Sequence, residues 1–178
     1  MARKPDNILD ELLVLNVQAG NQKAMATLVK RYHMVLISYA HRRTNNREIA
    51  PDIVQDAWKV AFSKIRSLHD PAGFRSWIYR IVHNKSVDWV RAQSKERAIK
   101  NELSRSDIDT NSDNPQLEKM SQALKLLTKE QRVLIDLYYR DDFSVSEISE
   151  TLRIPKGTVK SRLFAARNTL KQEIEKLK

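Results

Sequence analysis

The 178-residue sequence has no cysteine, which excludes disulfides, thiolate metal sites and cysteine nucleophiles. It has only three glycines and five prolines. Few turn formers against plentiful Leu, Ala, Lys, Glu and Arg predict an all-α chain. No apolar run approaches the roughly 20 residues that span a bilayer, and the start, Met1-Ala2-Arg3-Lys4-Pro5-Asp6-Asn7-Ile8-Leu9, lacks the apolar core of a signal peptide. No membrane insertion is expected, and the cytoplasm is the expected location. The histidines, at 33, 41, 69 and 83, include no i,i+4 pair and no HExxH, so no metal site is expected. No phosphate-cradling glycine loop is present. The paired carboxylate Asp141-Asp142 precedes a helix start, where acids suit the helix dipole better than they suit catalysis. The chain therefore reads as a non-enzyme with no catalytic residue and no cofactor.

What is present is positive charge. Lys and Arg number 32 against 22 Asp and Glu, a net charge of +10, with a pI near 9.9. This favours a polyanionic partner, nucleic acid first and an anionic membrane surface second.

The length suits two small domains. Helical spacing appears over 8–18, then along Met25, Leu28, Val29, Tyr32, Leu36 and Tyr39, with Asn21 placed to cap that second helix. Pro51 suits the first turn of a third helix bearing Ile53, Val54, Ala57, Ala61, Ile65 and Leu68. The turn signal His69-Asp70-Pro71-Ala72-Gly73 separates it from a fourth, predicted to run to about Ala92 with Phe74, Trp77, Ile78 and Ile81 on its inward side. The period then fails in a stretch rich in Ser, Asp and Asn. This predicts an N-terminal domain over 1–93, a flexible linker over 94–115 and a C-terminal four-helix domain over 116–178. Leu117, Met120, Leu124 and Leu127 mark the first helix of the latter. Thr128 with Gln131, and Ser144 with Glu147, form capping boxes for two more helices, the first carrying Val133, Leu134, Leu137 and Tyr138. A break at Arg153-Ile154-Pro155 precedes a last long helix with Val159, Leu163, Ala166 and Leu170, which completes a helix-turn-helix layout.

Charge is concentrated on that last helix: residues 153–171 hold six cations and no acid, whereas 129–150 hold six acids and three cations. With ~100° per residue, its core stripe leaves Gly157, Thr158, Ser161, Phe164, Ala165 and Asn168 outward, flanked by Lys160, Arg162 and Arg167, with Lys156 at its start. Small residues admit the helix to a major groove, Ser161 and Asn168 suit base edges, Phe164 suits thymine methyls, and the cations suit phosphates. The plainer alternative is a solvated basic face with Phe164 packed on the preceding helix.

In the third helix the outward positions are Asp52, Gln55, Lys59, Phe62 and Arg66, with Trp58 at the margin; together with Asp56 they read as a protein-docking surface. The competing reading packs Trp58 and Phe62 beneath the first helix. In the fourth helix Arg75, Tyr79, His83 and Ser86 are expected outward, followed by Arg91, Lys95, Arg97 and Lys100, a mixture of aromatics and cations that suits single-stranded nucleic acid. Protonation of His83 below about pH 6.5 is then expected to strengthen phosphate contact. Asp88 is expected on the inward side, as the ion-pair partner of a nearby Arg.

Two groups of residues resemble a known family. Asp52-Ile53-Val54-Gln55-Asp56-Ala57-Trp58 and Phe74-Arg75-Ser76-Trp77-Ile78-Tyr79-Arg80-Ile81, with Asn84 and Asp88, are similar to the promoter-opening domain of extracytoplasmic-function sigma factors. Ser146-Glu147-Ile148-Ser149 with Ile154-Pro155-Lys156-Gly157-Thr158-Val159-Lys160-Ser161-Arg162-Leu163 is similar to their upstream-element reader. The resemblance covers nearly the whole chain. It implies a non-catalytic subunit whose partners are core RNA polymerase, at the clamp helices of its largest subunit and at the flap, and promoter DNA, with an anti-sigma factor as a candidate third partner. Asp52, Gln55, Asp56, Trp58, Lys59 and Phe62 would dock on polymerase. His69, Asp70, Arg75, Tyr79, Arg80, His83, Asn84 and Arg91 would hold the opened strand of the minus-ten element. Lys156, Thr158, Lys160, Ser161, Arg162, Phe164, Arg167 and Asn168 would read the minus-thirty-five element. Ala165 departs from the family, many members of which carry a basic residue there, and His69-Asp70-Pro71-Ala72 matches no known base preference. The alternatives are a stand-alone helix-turn-helix regulator, which leaves the N-terminal half unexplained, and a nucleic-acid enzyme, for which no constellation is present.

Overall fold

The computed structural model describes residues 5–99, 124 and 126–176, and the chain divides into two compact units. Seven α-helices and no strand occur among the described residues. The N-terminal unit holds α1 (Pro5–Gln18), α2 (Gln22–Thr44), α3 (Ile49–Lys64) and α4 (Phe74–Ile99), with 3-10 turns at Ile65–Ser67 and Pro71–Gly73. Asn21 caps α2 as expected, its side chain accepting from the Lys23 and Ala24 amides. Asn45 ends α2 in the left-handed region at φ 51°, which its short polar side chain tolerates.

The core of this unit gathers Leu28, Leu36 and Tyr39 of α2, Val54, Ala57 and Ala61 of α3, and Phe74, Ile78 and Val82 of α4. Ala40 on α2 and Ala50 on α3 are also fully buried, and residues this small allow the two helices to pack closely. α1 is held by charge as well as by apolar contact. The buried Asp10 carboxylate accepts from Arg31 Nε at 2.9 Å and from the Tyr32 hydroxyl, both on α2. The Tyr32 ring in turn meets Phe74 of α4 edge-on, centroids 5.5 Å apart.

α4 departs from its expected orientation. Phe74, Ile78, Tyr79, Val82 and Ser86 are buried, while Trp77 and Ile81 are half-buried. The inward face is rotated by roughly 80° from the expected stripe, at ~100° per residue. The cause is a long-range partner: the Tyr79 ring packs on Tyr39 of α2, centroids 5.0 Å apart, and Ser86 is tolerated inside because its hydroxyl donates to the Val82 carbonyl at 2.8 Å. Asp88 is accordingly exposed rather than inward, with Arg91 Nη1 3.9 Å away as its ion-pair partner. The helix also runs past Ala92 to Ile99, since Gln93-Ser94-Lys95-Glu96-Arg97-Ala98 contains no helix breaker.

The C-terminal unit holds α5 (Lys129–Ile135), a π turn (Asp136–Arg140), α6 (Val145–Leu152) and α7 (Lys156–Lys176). Both capping boxes form: Thr128 and Gln131 exchange hydrogen bonds at 2.9 and 3.2 Å, and Ser144 and Glu147 at 2.8 and 3.2 Å. Leu134, Leu137, Phe143, Ile148, Val159, Leu163 and Ala166 form the core. Between α6 and α7, Arg153 sits at φ 54° with its amide bonded to the Ser149 carbonyl. The Ser149 hydroxyl donates to the Ile154 carbonyl at 2.6 Å and closes the short turn between α6 and α7. The expected helix bearing Leu117 and Met120, and most of the expected linker, lie outside the described residues.

Candidate nucleic-acid interface

α7 presents the clearest surface. Val159, Leu163 and Ala166 anchor it from below, and Ser161, Phe164, Ala165 and Asn168 are exposed on the other side. Phe164 is 65% exposed, so the face read from the sequence has the right register and Phe164 does not pack on α6. Lys156, Lys160 and Arg162 are exposed, and Thr158 is half-buried. The Ser161 hydroxyl donates to the Thr158 carbonyl at 3.1 Å and keeps its lone pairs toward solvent. Arg167 is exposed yet not a free cation: its Nε donates to the Tyr139 hydroxyl at 2.8 Å, and its guanidinium lies over the Tyr138 and Tyr139 rings at 5.2 and 5.6 Å. Tyr139, absent from the sequence reading, is 58% exposed. Its only sequence signal was an aromatic following the last core residue of its helix.

On α3, Asp52, Gln55, Asp56, Lys59 and Phe62 are all exposed. Lys59 Nζ lies 2.9 Å from Asp56 Oδ1, and this hydrogen bond lowers the Asp56 pKa below the usual carboxylate value. Trp58 is corrected: it is 4% exposed and belongs to the core, leaving Phe62, at 55% exposure, as the accessible aromatic above it. Their ring centroids are 6.4 Å apart, so Trp58 supports Phe62 from beneath.

The turn before α4 exposes His69 and Asp70. Asp70 Oδ1 accepts from the Ala72 amide at 3.1 Å, and its carbonyl accepts from the Gly73 amide at 3.0 Å, which fixes the turn. Gln18, at the end of α1, donates to the Ile65 and Leu68 carbonyls at 3.0 and 2.9 Å and holds the same segment from below. Nothing in the local sequence pointed to Gln18.

On α4 the expectation for Tyr79 and His83 is corrected. Tyr79 is 2% exposed, and His83 Nδ1 lies 2.9 Å from the hydroxyl of the buried Tyr39. Burial first, and the Arg43 charge second, push the His83 pKa down to about 4, so it is neutral near pH 7 and offers no phosphate contact at pH 6. Ser86 is likewise buried. The outward face instead carries half-buried Trp77 and Arg80 with exposed Asn84 and Arg91; Arg75 is half-buried. An aromatic among cations is still available, at Trp77 in place of Tyr79.

Among the described residues no group of His, Asp and Glu is arranged to hold a metal, and no helix is long and apolar enough to cross a membrane.

Residues 28–96 match the family Sigma-70 region 2, and residues 117–170 match Sigma-70, region 4. The chain is similar to the ECF RNA polymerase sigma-E factor of Haemophilus influenzae, 29% identical over 187 residues covering 97% of this chain and 98% of the relative. It is similar also to that of Escherichia coli K12, 28% identical over 188 residues and 97% of each chain. Two solved structures share its fold. One is the sigma factor RpoE in complex with the anti-sigma factor NepR from Bartonella quintana, with a TM-score of 0.73 and 22% identity over 86% of this chain and 98% of that one. The other is CnrH in complex with the cytosolic domain of CnrY, with a TM-score of 0.70 and 24% identity over 94% and 97%.

Proposed function

Since this chain belongs to the extracytoplasmic-function family of sigma-70-type sigma factors, and is an alternative sigma factor that brings core RNA polymerase to promoter DNA, we propose how its surfaces divide that work. Members of this family are non-enzymatic initiation factors. The α3 face of Asp52, Gln55, Asp56, Lys59 and Phe62 docks on the polymerase clamp helices: Phe62 supplies apolar contact and the polar residues around it set the register. The turn at residues 69–73 and the α4 face of Trp77, Arg80, Asn84 and Arg91 hold the opened strand of the minus-ten element by stacking and phosphate contact. α7 enters the major groove of the minus-thirty-five element. Residues 1–93 and 116–178 act as separate domains on the two elements. An anti-sigma factor, of the kind that accompanies RpoE in one of the two solved neighbours, restrains the chain by covering these surfaces. The site of action is the cytoplasm, where promoter DNA and polymerase are.

The observation that carries this reading is the outward set on α7, with Ser161, Phe164 and Asn168 exposed between cations and above an apolar stripe. A stand-alone regulator would use the same helix, yet it would leave the match to region 2 without a role. The test is run-off transcription by core polymerase, with and without this chain, on a genomic promoter library. Start sites that depend on the chain are expected, with a shared upstream element. Ser161→Ala or Phe164→Ala should cost about 1 to 3 kcal/mol on that element and little on scrambled DNA. Transcription unaffected by the chain, or equal losses on both duplexes, would refute the assignment.

A further inference from the structure

The contact between Arg167 of α7 and the two tyrosines of the π turn joins the DNA-reading helix to a segment outside the helix-turn-helix. The Tyr138 and Tyr139 rings meet edge to face, centroids 5.0 Å apart, and form a corner over which the guanidinium lies at 5.2 and 5.6 Å. The Tyr139 hydroxyl takes the Nε hydrogen at 2.8 Å. A guanidinium has five N–H donors in a rigid plane, so fixing Nε fixes where the two η nitrogens point. The Tyr139 oxygen accepts in this contact, so its own proton is free to donate outward. The π turn produces the arrangement. Its Asp141 amide bonds to the Asp136 carbonyl, five residues back, and Tyr138 is left half-buried while Tyr139 is exposed. A long flexible cation on a solvated surface would gain little from such a contact. One that must meet a phosphate at a set place gains by losing its rotamer freedom beforehand.

At ~100° per residue, Arg167 lies on the same flank of α7 as Lys160, close to Phe164, and Arg162 lies on the other. The clamp therefore stands beside the outward face, where a duplex backbone would run if α7 lies in the major groove. We propose that Tyr139 is a DNA-positioning residue: it holds the Arg167 guanidinium with its η nitrogens toward a backbone phosphate of the upstream duplex. This rests on the reading of α7 as the duplex-reading helix. It adds a tyrosine from before the helix-turn-helix, and it distinguishes Arg167, a pre-oriented donor, from Lys160, a mobile point charge.

The experiment measures retention of a randomised duplex library by holoenzyme assembled from core polymerase and the full chain, across a salt series. Tyr139→Phe removes one oxygen and keeps both rings. Retention of all sequences is expected to fall about three- to tenfold, the scale of one hydrogen bond, with the enriched motif unchanged and the salt slope intact because no charge is lost. Arg167→Lys keeps the charge without the fork and should behave the same way. Arg167→Ala should lose affinity and about one counterion from the slope as well. Adding Tyr139→Phe to Arg167→Ala should then cost nothing more, because the tyrosine acts through the arginine. Unchanged retention for Tyr139→Phe, or a loss that adds in full to that of Arg167→Ala, would overturn the proposal. Lys160→Ala is the companion variant. If it weakens retention while Tyr139→Phe does not, only the clamp fails; if neither it nor Arg167→Ala has any effect, α7 does not bind duplex and the clamp proposal falls with that reading.

Discussion

Acid should unfold the N-terminal unit through a single histidine, His83. In the folded chain its Nδ1 lies 2.9 Å from the Tyr39 hydroxyl, a hydrogen bond that the neutral ring can make in either tautomer. Burial and the nearby Arg43, whose guanidinium lies 5.7 Å from the Tyr39 ring centroid, disfavour the imidazolium and lower the pKa from 6.5 to about 4. A depressed folded pKa means that the unfolded chain binds the proton first. The stabilisation is present above about pH 6.5 and is lost as the pH falls toward 4. At ~1.4 kcal/mol per unit, the shift corresponds to roughly 3 kcal/mol in the limit, of which about 2 should disappear between pH 7 and pH 5. Trp58, Trp77 and Trp89 are the only tryptophans and all lie in this unit, so urea titrations followed by tryptophan emission in the full chain report its stability directly. His83→Asn supplies an acceptor near the Nδ1 position that does not titrate. The variant should be less stable than wild type near pH 7 and should lose about 2 kcal/mol less on acidification. Equal slopes for the two proteins would show that His83 is not the group responsible, and that its proton is not excluded by burial.

Asp10→Ala removes the acceptor shared by Arg31 and Tyr32 and leaves a buried hydroxyl and a partly buried cation without it. A loss of about 2 to 4 kcal/mol in urea titrations is expected, with α1 the first segment to exchange its amide hydrogens. Burial and Asp10 also raise the Tyr32 pKa, so this phenol's contribution holds below about pH 10 and declines only above it, which an alkaline titration of tyrosine absorbance would follow. Ser144→Ala opens the capping box at the start of α6 and should cost about 1 kcal/mol in thermal unfolding of the C-terminal unit, with weaker duplex binding in proportion to the unfolded fraction. Replacing Asp52, Gln55 and Asp56 together by Ala should weaken core-polymerase binding with helical content unchanged in circular dichroism, and Phe62→Ala should weaken it further. Unaltered affinity in both would remove the α3 face from the docking surface.

Features governed by residues within four positions of one another could be read directly from the chain. The Asn21 cap, both capping boxes, the break at Arg153-Ile154-Pro155 and the stripe of Val159, Leu163 and Ala166 are local, because caps and helical periodicity are settled by neighbours in sequence. The outward position of Phe164 followed from that stripe alone. Family membership was legible for a related reason: its motifs are short runs on single helices. What depended on distant partners was not legible. α4 offers two neighbouring apolar stripes, and Tyr39, forty residues before Tyr79, selected the one that buries Tyr79 and Ser86 and turns Trp77 outward. Trp58 had to choose between core and surface according to what packs above it. Gln18 reaches the turn before α4 across about fifty residues of sequence. Arg167 read as one of three equivalent flanking cations until the π turn brought Tyr139 to it from 28 positions away. Periodicity states which faces a helix has, but the choice among faces of similar hydrophobicity is a packing energy, and that exists only once the partner helices are in place.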